Sequence, residues 1–550
     1  MKKYFILLLI FLFANLHLYS QSAIPSQLSG NVSIEAQTYK NDSLINAPST
    51  PEQILSNSYL NLNYIIGNFE LAARFEAYLN PILGIDSRYK GSGIPYKNIT
   101  YHGDKFEVSA GNFYEQFGSG LILRSYWDPV LGIDNSLEGA RFVVRPVKGI
   151  DARVMIGKMR NFWTTSNSIL RAANIDMNFA DLFENAFSNN WNVTFGASLA
   201  SKFEADDNPN LILPQNELAY SLRAGLYSPH FSIDGEFGYT FNHPEAVNNF
   251  TYNDGNGVIL NMSYYGKGFG TSLSLHRVDN MDLRAQRDAR STQLTQNFIP
   301  PLTKQHFFSR YTIFPYSTQL NGEAGLQYDF NYHLSEGSFL GGKDGADFSL
   351  NLSRINSIRK NQIDKYTYKA NFFEIADTLL FQDINFDYTR YIGSNAEIVL
   401  RYANVINNKD FLFFSGAPHY GKIFVNILGL EGTYRFTNDF ALHSKIEHLW
   451  QTQDSTLHEA DNENGNWLSG LIETTFWGSL MTSIALDWNY GNAFDDHKLL
   501  FYTVNVAYLM GGNRFSLSYG RNPGGIICVG GICRTVPATN GFYLSLTSSF

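Results

Sequence analysis

Two rhythms run through this chain together. Along many segments polar and apolar residues alternate one by one. The connections between those segments alternate between long and short. In "SLMTSIALDWNY" one face carries Leu480, Thr482, Ile484, Leu486, Trp488 and Tyr490, and the other Ser483, Ala485, Asp487 and Asn489. In "FQDINFDYTRY" Ile384, Phe386 and Tyr388 alternate with Asp383, Asn385, Asp387 and Thr389. "GFGTSLSLH" sets Phe269, Thr271, Leu273 and Leu275 against Ser272, Ser274 and His276. A period of two is a strand with one oily and one wet face. Soluble sandwiches contain such strands too, so the connections decide.

Read back from the C-terminal strand "GFYLSLTSSF", the connection 522–540 is long and "MGGN" is tight. "NAFDDHK" is followed by "WG", "QTQDSTLHEADNENG" by "TND", and "VINNKDFLFFSGAPHYG" by "GS". "GKG", "SPH", "VKG", "GD" and "IGN" continue the short set toward the start. Long loops on one rim and short turns on the other mark a transmembrane antiparallel β-barrel. The expectation is all-β, with about 24 strands and a range of roughly 18–26. An even count puts both termini on the short-turn, periplasmic side of an outer membrane. The last strand is expected to pair with the first, which removes both sheet edges. Its terminal Phe550 resembles the signal read by the barrel assembly machinery of the outer membrane.

Composition agrees. Only 17% of residues are charged, 15% are aromatic, and Phe and Tyr number 43 and 33. Mean hydropathy is −0.20, too low for a helical membrane protein. No stretch after the N-terminus offers 18 apolar residues without a charge or turn, so a membrane span must be a closed barrel. Residues 1–20, "MKKYFILLLIFLFANLHLYS", read as a signal peptide with a basic start and a short apolar run. Losing Lys2 and Lys3 takes the net charge from −9 to −11, which argues against nucleic acid as a partner. Outer-membrane lipid, lipopolysaccharide and envelope proteins are the expected partners.

Barrel strands begin near Leu28, which leaves no room for a separate plug domain within 21–550. A lumen this wide is then expected to be filled by the barrel's own long extracellular loops, at about 113–138, 279–323, 355–380 and 522–540. The first, "YEQFGSGLILRSYWDPVLGIDNSLEGARF", has an apolar "GLILR" and two glycines that permit close approach. It reads either as an inward constriction, with Glu115, Arg124 and Asp128 at the narrow point, or as two further short strands. The second carries Arg284, Arg287 and Arg290 at a spacing of three. These form either a cationic patch for an anionic solute or lipopolysaccharide phosphate, or a solvated run beside Asp282 and Asp288. The third, "NSIRKNQIDKYTYKANFFEIADTLL", is a lid or a lumen filler. On the wall, Arg141 and Arg145 share a parity, and a lipid-facing Arg is costly. Both are expected to line the pore, as are Asp383, Asn385 and Asp387. Opposed ladders of this kind either bias ion selectivity or simply hydrate the lumen.

The cysteines lie in "CVGGIC". Gly530-Gly531 suits a two-residue hairpin turn. That makes Cys528 and Cys533 a close cross-strand pair, as a disulfide requires. "DNENGN" (461–466) is oxygen-rich but departs from a calcium-loop spacing, and no metal or other cofactor is expected. No nucleophile–base–acid set is present, and no catalytic residue is expected; the chain does not read as an enzyme.

The order "GNFYEQFGSGLILRSYWDPVLGIDNSLEGARF", "IPPLTKQHFFSRYTIFPY" and "LLFQDINFDYTR", with "LYSQ" closing the leader, resembles an outer-membrane barrel family of Bacteroidota. The resemblance implies location and fold and brings no activity. The expected role is a channel or transport component narrowed by inward loops. The alternative is a closed barrel that binds at the surface or scaffolds an envelope or secretion complex.

Overall fold

The computed structural model describes residues 26–550 except 51, 184–189, 207, 415–420 and 454–463. The expected signal peptide and the acidic start of "DNENGN" lie outside the described residues. One sheet contains 25 strands. One of these, Thr164–Thr165, is a two-residue spur on the end of Ile150–Asn161. The other 24 form the wall, each antiparallel to its sequence neighbour. They run from Ser26–Thr38, Ile54–Ile66 and Phe69–Asn80 through to Leu500–Met510, Asn513–Asn522 and Thr539–Ser549.

The wall closes. Ser26–Thr38 pairs with Thr539–Ser549 in the register Asn31↔Ser549 to Gln37↔Tyr543. Gly30 and Phe550 exchange backbone hydrogen bonds, each 3.0 Å. Every wall strand thus has two neighbours, and no row of N–H and C=O groups is left open.

On one rim the chain turns tightly, at 67–68, 228–230, 267–268, 393–395, 438–439, 477–479 and 511–512. The connections 179–191 and 335–345 on that rim are longer. The other rim carries 39–53, 114–136, 241–254, 280–321, 359–374 and 523–538, among others. The strand Leu480–Trp488 shows how the wall is faced. Ile484, Leu486 and Trp488 are 51%, 46% and 48% exposed on its outer side. Asp487 turns inward and meets Arg310 of the connection 280–321 at 3.2 Å. Exposed aliphatic and aromatic side chains of this kind recur around the outer face. An apolar belt this extensive is stable against lipid, not water.

The buried apolar residues gather where long connections meet the inner face of the wall. One cluster joins Phe117, Leu121, Ile122 and Leu123 to Met155, Met159, Val278 and Met281. A second joins Leu302, Phe308, Phe314 and Tyr316 to Phe381, Val405, Val425, Trp467 and Phe501. A third is aromatic, built on Tyr59, Tyr78 and Tyr89 with Trp127 and Trp163.

Candidate functional site

Of the two descriptions its sequence allowed, the connection 114–136 contains the short strand pair. Trp127–Asp128 pairs with Ile133–Asp134 as a minute ladder. Ahead of it, 117–123 folds into an apolar knob, with Phe117, Leu121, Ile122 and Leu123 fully buried. Gly118 and Gly120 take φ of 55° and 97°, which lets Gly120 N–H donate to the Phe117 carbonyl at 2.9 Å. Leu121 lies over Gly238 and Gly257 on the inner face. A Cβ at either glycine would come within 2.7 or 3.0 Å of its methyls. At the tip, Ser119 N–H donates to Glu236 on strand Phe231–Thr240 at 2.8 Å.

The connection 280–321 grips this knob from the other side. Arg124 N–H donates to the Gln296 carbonyl (2.8 Å), and Phe298 N–H to the Gly120 carbonyl (2.9 Å). The Asn297 amide donates to the carbonyls of Leu121 and Met281 at 3.0 and 2.7 Å. Farther along, the same connection lies over strands Ile375–Ile392 and Phe440–Gln453. His306 and Tyr311 meet the Asp383 carboxylate at 2.5 and 2.8 Å. Ser309 N–H donates to Glu447 at 2.7 Å. The two connections and the inner wall therefore form one polar-and-apolar assembly.

A buried quartet locks it. Arg74 and Glu76 on strand Phe69–Asn80 meet at 2.7 Å. Arg160 on Ile150–Asn161 reaches Glu76 at 2.7 Å and Asp134 at 2.5 Å. Arg74 also holds Asp134, and Tyr114 donates to Asp134 at 3.0 Å. All four charged side chains are at most 3% exposed. Two cations face two anions, so the charges cancel within the group. Sequence reading missed the quartet. The signal available was the shared parity of Arg74 and Glu76 within a strand whose other face is apolar. Nothing local pointed to Asp134.

The expected pore residues are placed as follows. Arg124 stacks over Phe298 and Tyr126, 3.9 and 4.6 Å from their ring centres, and burial holds its guanidinium below its ordinary value. Asp128 caps a turn by accepting Leu131 N–H at 2.9 Å. Among the described residues no ion pair joins Arg124 to Asp128. Arg141 contacts Glu115 at 3.3 Å and Glu107 at 3.6 Å. Arg145, just beyond its strand, is half exposed and bonds Glu107 at 2.7 Å and Asp151 at 2.9 Å. Across the chain, Asp387 pairs with Lys304 at 2.8 Å, and Asn385 bonds Asn351 at 2.9 Å. Each ladder is thus covered by opposite charge at hydrogen-bonding range. Some of these counter-charges come from connections, as Glu115 and Lys304 do, and some from neighbouring strands, as Glu107 and Asp151 do.

The three loop arginines do not make a patch. Arg284 is buried against Asp282 at 2.8 Å. Arg287 is buried between Glu217 (3.3 Å) and the carbonyls of Glu204 and Pro214. Arg290 is exposed. A spacing of three gathers side chains only on a helix, and 284–290 is not helical. Cys528 and Cys533 are opposite in the hairpin register and bonded, with Cα atoms 4.1 Å apart. Gly530 and Gly531 take φ of 57° and 77° at its turn. This hairpin lies against 280–321, where Thr318 N–H donates to the Gly531 carbonyl at 3.4 Å.

Beside Arg284 and Arg287 sits a second ionic group. Lys202 bonds Glu245 at 2.6 Å and Glu217 at 2.7 Å. His243 is buried nearby, and burial first and Lys202 second push its imidazole down to about 3. Burial raises the Glu245 carboxyl against the pull of Lys202. An unfolded His takes a proton near 6.5, which the folded His243 refuses. Its contribution to stability is therefore complete above pH 6.5 and is lost as pH falls toward 3. Glu245 acts in the opposite sense, so a variant must separate the two. Between pH 7 and pH 4 the thermal unfolding midpoint of wild type should fall more than that of His243→Leu. Equal falls would show that the imidazole does not titrate this way.

Among solved structures, the P pilus usher PapC translocation pore matches at 9% identity with a TM-score of 0.41, over 96% of this chain and 99% of its own. The siderophore receptor PirA from Pseudomonas aeruginosa matches at 9% and 0.39, over 96% and 81%. A mutant ferric enterobactin receptor PfeA from Pseudomonas aeruginosa, in complex with enterobactin, matches at 11% and 0.44, over 96% and 82%. No curated protein matches. The model of a family of unknown function, DUF6029, matches residues 1–550, and the chain belongs to that family.

Proposed function

We propose that this protein is an outer-membrane channel or transport component whose lumen is narrowed by its own connections 114–136, 280–321 and 523–538. In this reading both termini are periplasmic, the long connections belong to the extracellular rim, and no separate plug domain is needed. The observation that carries it is the reach of Ser119. It hydrogen-bonds Glu236, although the strands Leu137–Val144 through Asn216–Tyr227 separate the two along the wall. A connection makes that contact by passing inside the sheet.

Single-channel recording in a planar bilayer tests the reading. Wild type should give small, steady openings. Replacing 117–123 by a Gly-Ser linker should enlarge them, because it removes the knob and leaves the wall ladders intact. Silence from both proteins, each folded and heat-modifiable, would sink it. The second reading, a closed barrel for surface binding or scaffolding, is favoured by one feature. Phe117, Leu121, Ile122 and Leu123 have no exposed surface at all. A silent wild type with a conducting linker variant would support that reading.

A further inference from the structure

Below the knob, toward the short-turn rim, lies a cavity of about 720 Å³. Gly118 and Ser119 bound one end, and the short connection 147–149 bounds the other. Charged residues line it, and each cation there already has a partner. Arg145 holds Glu107 and Asp151. Lys148 holds Asp181 at 3.2 Å. Arg223 stands directly opposite Glu236 in the ladder, yet its guanidinium leans the other way. It passes over Gly196, where a Cβ would come within 2.3 Å of it, to reach Asp176 at 2.5 Å. It also bonds Ser198 at 2.7 Å.

Among the described residues Glu236 is left without a cation. It is 6% exposed. The residue lines the cavity; one carboxylate oxygen accepts Ser119 N–H, and the other is buried with no partner among the described residues. Two residues back, Asp234 shares the same face of the strand. Its bond from the Asn261 amide, at 3.0 Å, brings it no positive charge. A buried carboxylate without a counter-charge is unfavourable until a cation joins it.

We propose that this cavity binds an organic ammonium cation, with Glu236 as the anchor and Asp234 as its second acceptor. An ammonium group has three donors, enough for the Glu236 carboxylate and for Asp234 together. Tyr227 and Ile259 offer apolar surface to an alkyl chain. A metal ion is a poorer fit, because among the described residues no three His, Cys, Asp or Glu side chains converge as ligands. The inference rests on the channel reading only for the solute's route. The site belongs to the folded barrel.

Isothermal titration of the full-length, detergent-purified protein with putrescine tests it, with magnesium chloride as the competing cation. Wild type should bind putrescine saturably, and magnesium should not displace it. Glu236→Gln keeps the acceptor for Ser119 N–H and removes the charge; its affinity should fall about tenfold or more. Asp377→Asn, whose carboxylate is fully exposed, should bind as wild type does. Asp234→Asn should also weaken binding, and it serves if Glu236→Gln fails the heat-modifiability check. No saturable binding, equal binding by both cavity variants, or displacement by magnesium would overturn the proposal. Conductance recorded on the same preparation keeps the two readings apart. A silent barrel that binds putrescine retains the site and loses the channel; a conducting barrel that does not bind does the reverse.

Discussion

Asp134→Asn is expected to destabilise the barrel by about 3–5 kcal/mol and to free the connection 114–136 from the wall. In the native quartet, Arg74 and Arg160 each bond Glu76 and Asp134. Removing one carboxylate leaves two buried guanidiniums with a single counter-charge. Asn keeps the size and one acceptor, so packing survives and the loss is electrostatic. Trp127, whose ring centre lies 4.2 Å from the Arg74 guanidinium, does not replace a carboxylate. Urea unfolding in detergent reads the stability. If the channel reading holds, bilayer recordings should show larger or noisier openings, because Asp134 is the quartet's only member on a connection. The double variant Arg74→Met with Asp134→Leu should recover much of the loss, since it removes one charge of each sign. A single variant as stable as wild type would mean the quartet is solvated and not a lock.

Leu121→Ala should cost about 2–5 kcal/mol, the range for a fully buried leucine whose cavity cannot collapse. Collapse is blocked here by the opposing surface. Gly238 and Gly257 belong to wall strands Phe231–Thr240 and Gly255–Gly266, held by ladders on both sides. The reciprocal change, Gly238→Val, should be comparably harmful, because a Cβ there meets the Leu121 side chain at 2.7 and 2.9 Å. Combining Gly238→Val with Leu121→Ala should cost less than the sum of the two, as the added methyls enter the space vacated. Thermal midpoints of the three variants check this. Strict additivity would show that Leu121 does not seat on those glycines.

The wall was legible because its physics is local and periodic. Period-two alternation gave each strand its outward face, as at Ile484 and Trp488. Turn chemistry gave the tight rim, as at Gly266, Lys267 and Gly268 ("GKG") and at "WG". "GFYLSLTSSF" could be matched to the first strand because an open edge has no stable place in lipid. The Cys528–Cys533 register followed in the same way from a two-glycine turn. Reading the interior needed more than period. Parity pointed Arg141 and Asp383 inward, but their partners Glu115 and His306 sit on connections that carry no register. Arg284 and Arg287 looked like a cationic surface for the same reason. Their counter-charges, Asp282 beside Arg284 and Glu217 opposite Arg287, bind once 280–321 folds against the wall. Glu236 stands apart from them. Its own ladder neighbour Arg223 was available, and only the absence of a side chain at Gly196 let that arginine lean away.

By itself, then, the sequence determined a closed barrel of alternating strands, which way each strand faces, and which rim carries the long connections. Tertiary structure alone decided which charges meet inside it. A strand's hydrogen-bond ladder repeats every two residues and can be read from the chain. A connection's path is set by where it finds apolar surface and counter-charge, and those lie far along the chain from it.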